Sequence, residues 1–178
     1  VREGARAKDF ELAIQWLMDC GLIHKVNRVS KPALPLKAYM DLDVFKIFLV
    51  DIGLLIAMTD LDAQVIIDGN RIFTEFKGAL TEQYVLQQFV SEHGLTPYYY
   101  STPNSTGEID FILQGKTSVV PVEVKAEENL RAKSLKAFCE KYHPGHAIRT
   151  SMSDYREQEW MTNLPLYDIG GIQKFLDD

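Results

Sequence analysis

Two cysteines in 178 residues, Cys20 and Cys139, are too few for a disulfide framework. The fold is therefore expected to rest on core packing in a reducing interior. No apolar run approaches the ~18 residues that a membrane-spanning helix requires. The start also lacks the charged, apolar and small-residue order of a secretory signal. A cytoplasmic protein without membrane contact is the expectation. Basic residues are outnumbered, 19 against 25 acidic, and the net charge of −6 weighs against a dedicated nucleic-acid coat protein, whose footprint is usually basic. There is no Gly-x4-Gly-Lys-Ser/Thr loop, so the chain carries no phosphate cradle of the P-loop type. An initiator methionine is missing too: the chain starts at Val1, as expected of a piece of a longer polypeptide.

What is present is ordinary globular material, 46% hydrophobic and 25% charged, enough for one domain with a small satellite. Asp9 to Cys20 reads as an amphipathic helix with Phe10, Ile14 and Leu17 in its stripe, Asp9 at the N-cap and Gly21 just past the end. Leu22–Val26 reads as a strand, followed by the breakers Pro32 and Pro35, an apolar run Lys46–Val50, and a short helix over Ile52–Met58 capped by Asp51. This order suits a small winged-helix-like unit, or equally a helical lid packed on a larger domain. A boundary near Gly69–Ile72 separates this segment, 1–70, from a second, 71–178.

The second segment opens with a long helix, Phe73–Val90. Strands follow at Pro97–Ser101, Glu108–Leu113 and Val119–Lys125, then a helix at Leu130–Tyr142 and a strand at His146–Thr150. Leu164–Tyr167 reads as an edge strand, because Pro165 is unsuited to a central one. The order α-β-β-β-α-β makes this half mixed α/β.

Strand side chains alternate faces. Ile109, Phe111 and Leu113 should share one face of their strand and Glu108 and Asp110 the other; Glu123 and Lys125 should share a face of the next. A hairpin turning about Lys116–Thr117 sets Asp110 opposite Glu123, with Cβ atoms about 5 Å apart, and Lys125 about 6.6 Å further along. Two facing carboxylates repel unless a cation lies between them. Two acids and a lysine on one face suit metal-assisted phosphodiester hydrolysis, in which a hard Mg²⁺ takes oxygen ligands and lysine orients water or offsets developing charge. A solvent-facing hairpin with charges on its wet side is the plainer reading. Arg131, Lys133, Lys136 and Lys141 on the following helix are candidate phosphate contacts, or simply a solvated face. Tyr98, Tyr99 and Tyr100 suit a β-strand better than base stacking, and His143–His146 suits a turn better than zinc. The first helix carries Asp9, Glu11 and Asp19 without a basic residue, a poor recognition helix for DNA.

Asp110, then Glu123-Val124-Lys125, preceded by a helix bearing Glu82, resembles the PD-(D/E)XK nuclease superfamily. The resemblance implies a restriction-endonuclease-like α-β-β-β-α-β core after the winged-helix-like segment. It also implies Asp110 and Glu123 as ligands of Mg²⁺ or Mn²⁺, Lys125 as catalytic lysine and Glu82 as auxiliary acid and further metal ligand. Arg131 and Lys133 would then touch substrate. More broadly, Leu17–Val26 (LMDCGLIHKV), Lys46–Leu55 (KIFLVDIGLL), Gly78–Val85 (GALTEQYV), the tyrosine strand before Gly-Glu-Ile-Asp-Phe, and Val-Glu-Val-Lys-Ala together resemble the domain that follows an AAA-type ATPase module in bacterial and archaeal proteins. That resemblance implies an ATPase module upstream in the same polypeptide and an oligomer formed through it, while the same-face Asp/Glu/Lys set and the fold order make Mg²⁺-dependent hydrolysis of DNA the leading expectation. A competing expectation is a non-catalytic nuclease-like scaffold that regulates the ATPase or binds a protein partner. Residues 73–178 carry a net charge of −5, which disfavours a polyanion.

Overall fold

In a computed structural model the protein is mixed α/β, and the structure describes residues 7–60, 71–102, 107–126 and 132–178. Arg131, the start of the expected helix at Leu130, and Gly69 at the expected boundary lie outside the described residues. The described residues form five α-helices and one eight-stranded sheet. In chain order the elements are α1 (Glu11–Asp19), β1 (Ile23–Val29), β2 (Met40–Leu49), α2 (Ile52–Met58) and α3 (Arg71–Ser91). After them come β3 (Tyr98–Ser101), β4 (Glu108–Gln114), β5 (Val119–Val124), α4 (Lys133–Tyr142), β6 (Ile148–Ser151), β7 (Arg156–Glu157), β8 (Thr162–Pro165) and α5 (Gln173–Asp177). The strands lie in the order β2-β1-β3-β4-β5-β6-β8-β7. Pairing is mixed: β1 runs parallel to β3, and β6 parallel to β5 and β8, while the other neighbours are antiparallel.

Local chemistry explains several boundaries. α1 ends where Gly21 takes φ 70°, with Gly21 N–H donating to Met18 O and Leu22 N–H to Leu17 O, the paired bonds of a Schellman stop. Its beginning differs from expectation: Ala7–Phe10 form a 3₁₀ turn and Phe10, not Asp9, occupies the N-cap. No α1 side chain is buried, and Phe10, Leu12, Trp16 and Leu17 stand exposed. α2 starts as the sequence indicates, the Asp51 carboxylate accepting from Leu54 N–H at 2.8 Å. α3 buries Thr81, Val85, Leu86 and Phe89, the i, i+4 spacing of one helical face. The expected edge strand near Pro165 is shifted: Thr162–Pro165 is next to last, covered by the two-residue β7, and Leu166–Ile172 turn into 3₁₀ helix. Proline is accommodated there because Pro165 is the strand's last residue.

Two apolar layers enclose the sheet. One joins Val85, Leu86 and Phe89 of α3 to Phe111, Leu113, Val120, Val122 and Val124, and also to Val26 and Phe48 of the N-terminal hairpin. The other joins Leu135 and Phe138 of α4 to Tyr98, Tyr100, Ile109, Ile112 and Val119. Ile109 therefore does not share a layer with Phe111 and Leu113, as simple alternation predicts. The reason is an irregularity between β3 and β4: Tyr98 pairs Ile112 and Tyr100 pairs Ile109, so three steps on β4 face two on β3. An extra residue of this kind reverses the pleat locally and bends the strand. It falls beside Asp110.

Candidate acidic site at the parting of two strands

The β4–β5 hairpin has the anticipated register, with Phe111 opposite Val122, Ile112 opposite Pro121 and Leu113 opposite Val120. The ladder stops at Phe111–Val122, one pair short of Asp110–Glu123. There the bulge turns β4 toward β3 and the two strands part. The Asp110 carboxylate takes over the missing ladder contact, accepting from Val124 N–H at 2.7 Å. Glu123 is inside, 5% exposed, and its Oε1 receives the Lys125 ammonium at 2.6 Å. Lys125 leaves β5 immediately afterwards, its own N–H donating to Thr150 O at 2.9 Å. Glu123 Oε2 is buried and has no hydrogen-bond partner among the described residues.

Glu82 reaches this region from α3. The hold of α3 on the sheet is polar as well as apolar. The Gln83 side-chain amide receives Leu49 N–H at 3.0 Å and donates to Leu49 O at 2.7 Å, and Gln87 Oε1 accepts from Ile52 N–H at 3.1 Å. These bonds tie the end of β2 and the start of α2 to the helix that carries Glu82. Lys46 of β2 thereby joins the cluster: its Nζ donates to Glu108 Oε1 and lies 3.8 Å from Glu82 Oε2. Its ammonium also lies 5.0 Å from the centre of the Tyr99 ring, within cation–π range.

Four carboxylates and two ammonium groups thus share one neighbourhood, and the protonation of Asp110, Glu82 and Lys46 reflects the crowding. Burial, reinforced by the negative charges of Glu82 and Glu123, pushes the Asp110 carboxyl up to about 7 against the partial relief of its Val124 bond. Burial also raises Glu82; Lys46 opposes that rise, and Glu108 and Glu123 add to it. Burial alone would lower Lys46, but the Glu108 hydrogen bond and the charges of Glu82, Glu108 and Asp110 outweigh it, so the ammonium is held above its ordinary value.

The donor chemistry fits a hard cation. Glu123 Oε2 is a buried, unsatisfied carboxylate oxygen, and Asp110 has no ion-pair partner among the described residues; a cation would relieve both. Among the described residues no three His, Cys, Asp or Glu side chains converge as a ready-made cage. Mg²⁺ does not need one, since it commonly binds through one or two carboxylates and keeps its waters.

Of the residues singled out in the sequence, Glu82, Asp110, Glu123 and Lys125 are brought into one electrostatic cluster. Lys133 begins α4 and is exposed. The three tyrosines of β3 are buried, with the Tyr100 hydroxyl 2.8 Å from that of Tyr142, so they offer no stacking platform. Lys46 and Glu108 are the members that sequence reasoning passed over. The signal for Lys46 was a lone charge inside the apolar run Val44–Leu49; for Glu108 it was its place two residues before Asp110, on the expected polar face.

Comparison with known proteins adds two family matches. A model described as Domain of unknown function (DUF4143) matches residues 77–169, and one described as Domain of unknown function (DUF8612) matches residues 1–65. No curated protein and no solved structure matches the chain. The first match spans α3 through the 3₁₀ turn after β8 and so contains Glu82, Asp110, Glu123 and Lys125. The second contains Lys46.

Proposed function

The chain belongs to the DUF4143 family, and from that premise we propose that the cluster is a divalent-metal site for hydrolysis of phosphodiester bonds in DNA. The observation that carries the reading is the parting of β4 and β5, which leaves Asp110 beside a buried Glu123 whose Oε2 is unpartnered, with Lys125 paired to its other oxygen. Asp110 and Glu123 would hold Mg²⁺ or Mn²⁺, with Glu82 as a further acid. The ion, when bound, would polarise a phosphoryl oxygen and favour hydroxide over water. Lys125 would orient the attacking water and offset charge gathering on phosphorus. Hydrolysis splits one P–O bond, leaving the water's hydroxyl on phosphorus and its hydrogen on the departing oxygen. On this reading the α3-β3-β4-β5-α4-β6 series is a restriction-endonuclease-like core occupying 71–178, and 1–70 is a winged-helix-like segment. Arg131 and Lys133 are assigned to substrate phosphates, and an ATPase module upstream in a cytoplasmic polypeptide supplies the oligomeric setting.

Incubation with plasmid and linear DNA in Mg²⁺ or Mn²⁺ tests the proposal. Cleavage is expected, reduced about 100-fold or more in Asp110→Ala, Glu123→Ala and Lys125→Met. Cleavage unchanged in Asp110→Ala, or none at all, overturns it. A second reading, a scaffold that binds the ATPase or another protein without cutting, draws on one observation: both lysines already neutralise acids of the cluster. Metal binding lost in Glu123→Ala separates the two, because a scaffold needs no metal.

A further inference from the structure

Lys46 stands apart from the other members of the cluster. It is the only one of the six groups that the β1–β2 hairpin supplies, and the hairpin is covered by a different family match from the rest of the site. Its backbone is fixed by pairing opposite Val26, and three residues later the Leu49 peptide is clamped on both sides by Gln83 of α3. The ammonium lies over the Tyr99 ring and meets Glu108 and Glu82, on a side chain only 26% exposed. Lys125 pairs with Glu123 Oε1. The two ammonium groups thus pair with three of the four carboxylates, leaving Asp110 with a backbone N–H alone and Glu123 Oε2 without a partner among the described residues.

Accepting the reading of this cluster as a cation site, we propose that Lys46 is its resident counter-ion and competes with the divalent metal. Metal entry displaces the ammonium from Glu82, the acid that the two cations share. The physical ground is simple. An ammonium and a divalent ion a few ångströms apart repel strongly inside a protein. Glu82 cannot serve both cations at full strength. Because the coupling is thermodynamic it is reciprocal: metal loosens the hold of Lys46 on α3-borne Glu82, and a hairpin held more firmly against α3 weakens metal binding. The N-terminal segment thereby sets the metal affinity of a site that lies mostly in the other half of the chain.

Calorimetric titration of the full chain with Mn²⁺ provides the test. Lys46→Met is expected to bind Mn²⁺ about tenfold or more tightly than wild type, Lys46→Arg to stay near wild type because it keeps the charge, and Glu123→Ala to abolish binding. A second measurement requires no variant. Acetylation of Lys46 in the wild-type protein, followed by peptide mass spectrometry against exposed Lys133 and Lys136, should accelerate severalfold when Mn²⁺ saturates. Equal or weaker binding in a folded Lys46→Met, or unchanged acetylation with Mn²⁺ bound, overturns the counter-ion role while leaving the metal site standing. If wild type, Lys46→Met and Lys46→Arg all fail to bind Mn²⁺, the metal reading falls and this inference with it.

Discussion

Asp110 is the residue on which local and global forces meet most directly. It sits at a bulge, bonds a backbone N–H of the neighbouring strand, and shares a crowded field with Glu82 and Glu123. Its carboxyl is raised from 3.8 to about 7 by burial and those two charges. A carboxyl raised on folding binds protons more tightly in the native state than in the unfolded one. Its contribution to stability is therefore greatest below about pH 4, and falls as pH rises toward about 7, by a few kcal/mol in all. Asp110→Asn should flatten this part of the profile, making the metal-free protein more stable at pH 8 than wild type. Urea unfolding midpoints across pH 4–8 check the sign. The acidic pair Asp110 and Glu123 was legible in the sequence because a two-residue period and a turn define which residues face each other. That the ladder ends one pair early was not, because the bulge beside it lies in the pairing with the preceding strand β3, and side-chain alternation does not mark where an extra residue is inserted.

At the scale of elements, the contact that assembles the site is α3 against the end of β2. Gln83 does for the Leu49 peptide what a further strand would do, pairing both its N–H and its C=O at the outer edge of the sheet. A Gln83→Leu replacement fits the apolar surroundings but leaves both peptide groups without protein partners. It should cost about 1–3 kcal/mol and release Lys46 from Glu82, seen as a lowered thermal midpoint together with faster Lys46 acetylation. A merely destabilising change elsewhere in α3 would lower the midpoint without the second effect. Element types and most boundaries followed from periodicity and capping: α2 begins at the residue after Asp51, and α1 stops at Gly21. The strand at Thr162–Pro165 was harder to read, since a single proline signals an edge only if its position within the strand is known.

For the whole molecule, the continuous sheet matters more than any division of the chain. Val26 and Phe48 of the hairpin belong to the same apolar layer as Val85, Phe89 and Phe111, with the Phe48 and Phe111 ring centres 5.8 Å apart. Phe48→Ala should therefore cost about 3 kcal/mol or more. It should also lower the unfolding midpoint reported by Trp160, which packs in the opposite layer far along the sheet order. An unmoved Trp160 transition would mean that the hairpin unfolds on its own.

The order of helices and strands, the β4–β5 register and the grouping of Asp110, Glu123 and Lys125 were determined by the sequence, since each depends on spacing within one segment or across one tight turn; Glu82, on a separate helix, was singled out by the family resemblance. The inclusion of Lys46, the bulge that parts the strands, and the pairing of β1 with β3 were decided only in three dimensions. Lys46 and the β1–β3 pairing join residues far apart in the chain, and the bulge, though local, is an inserted residue; no periodicity records either. The excess of acidic over basic residues takes on a local meaning as a result: four carboxylates gather around two of the chain's twelve lysines in a single cluster.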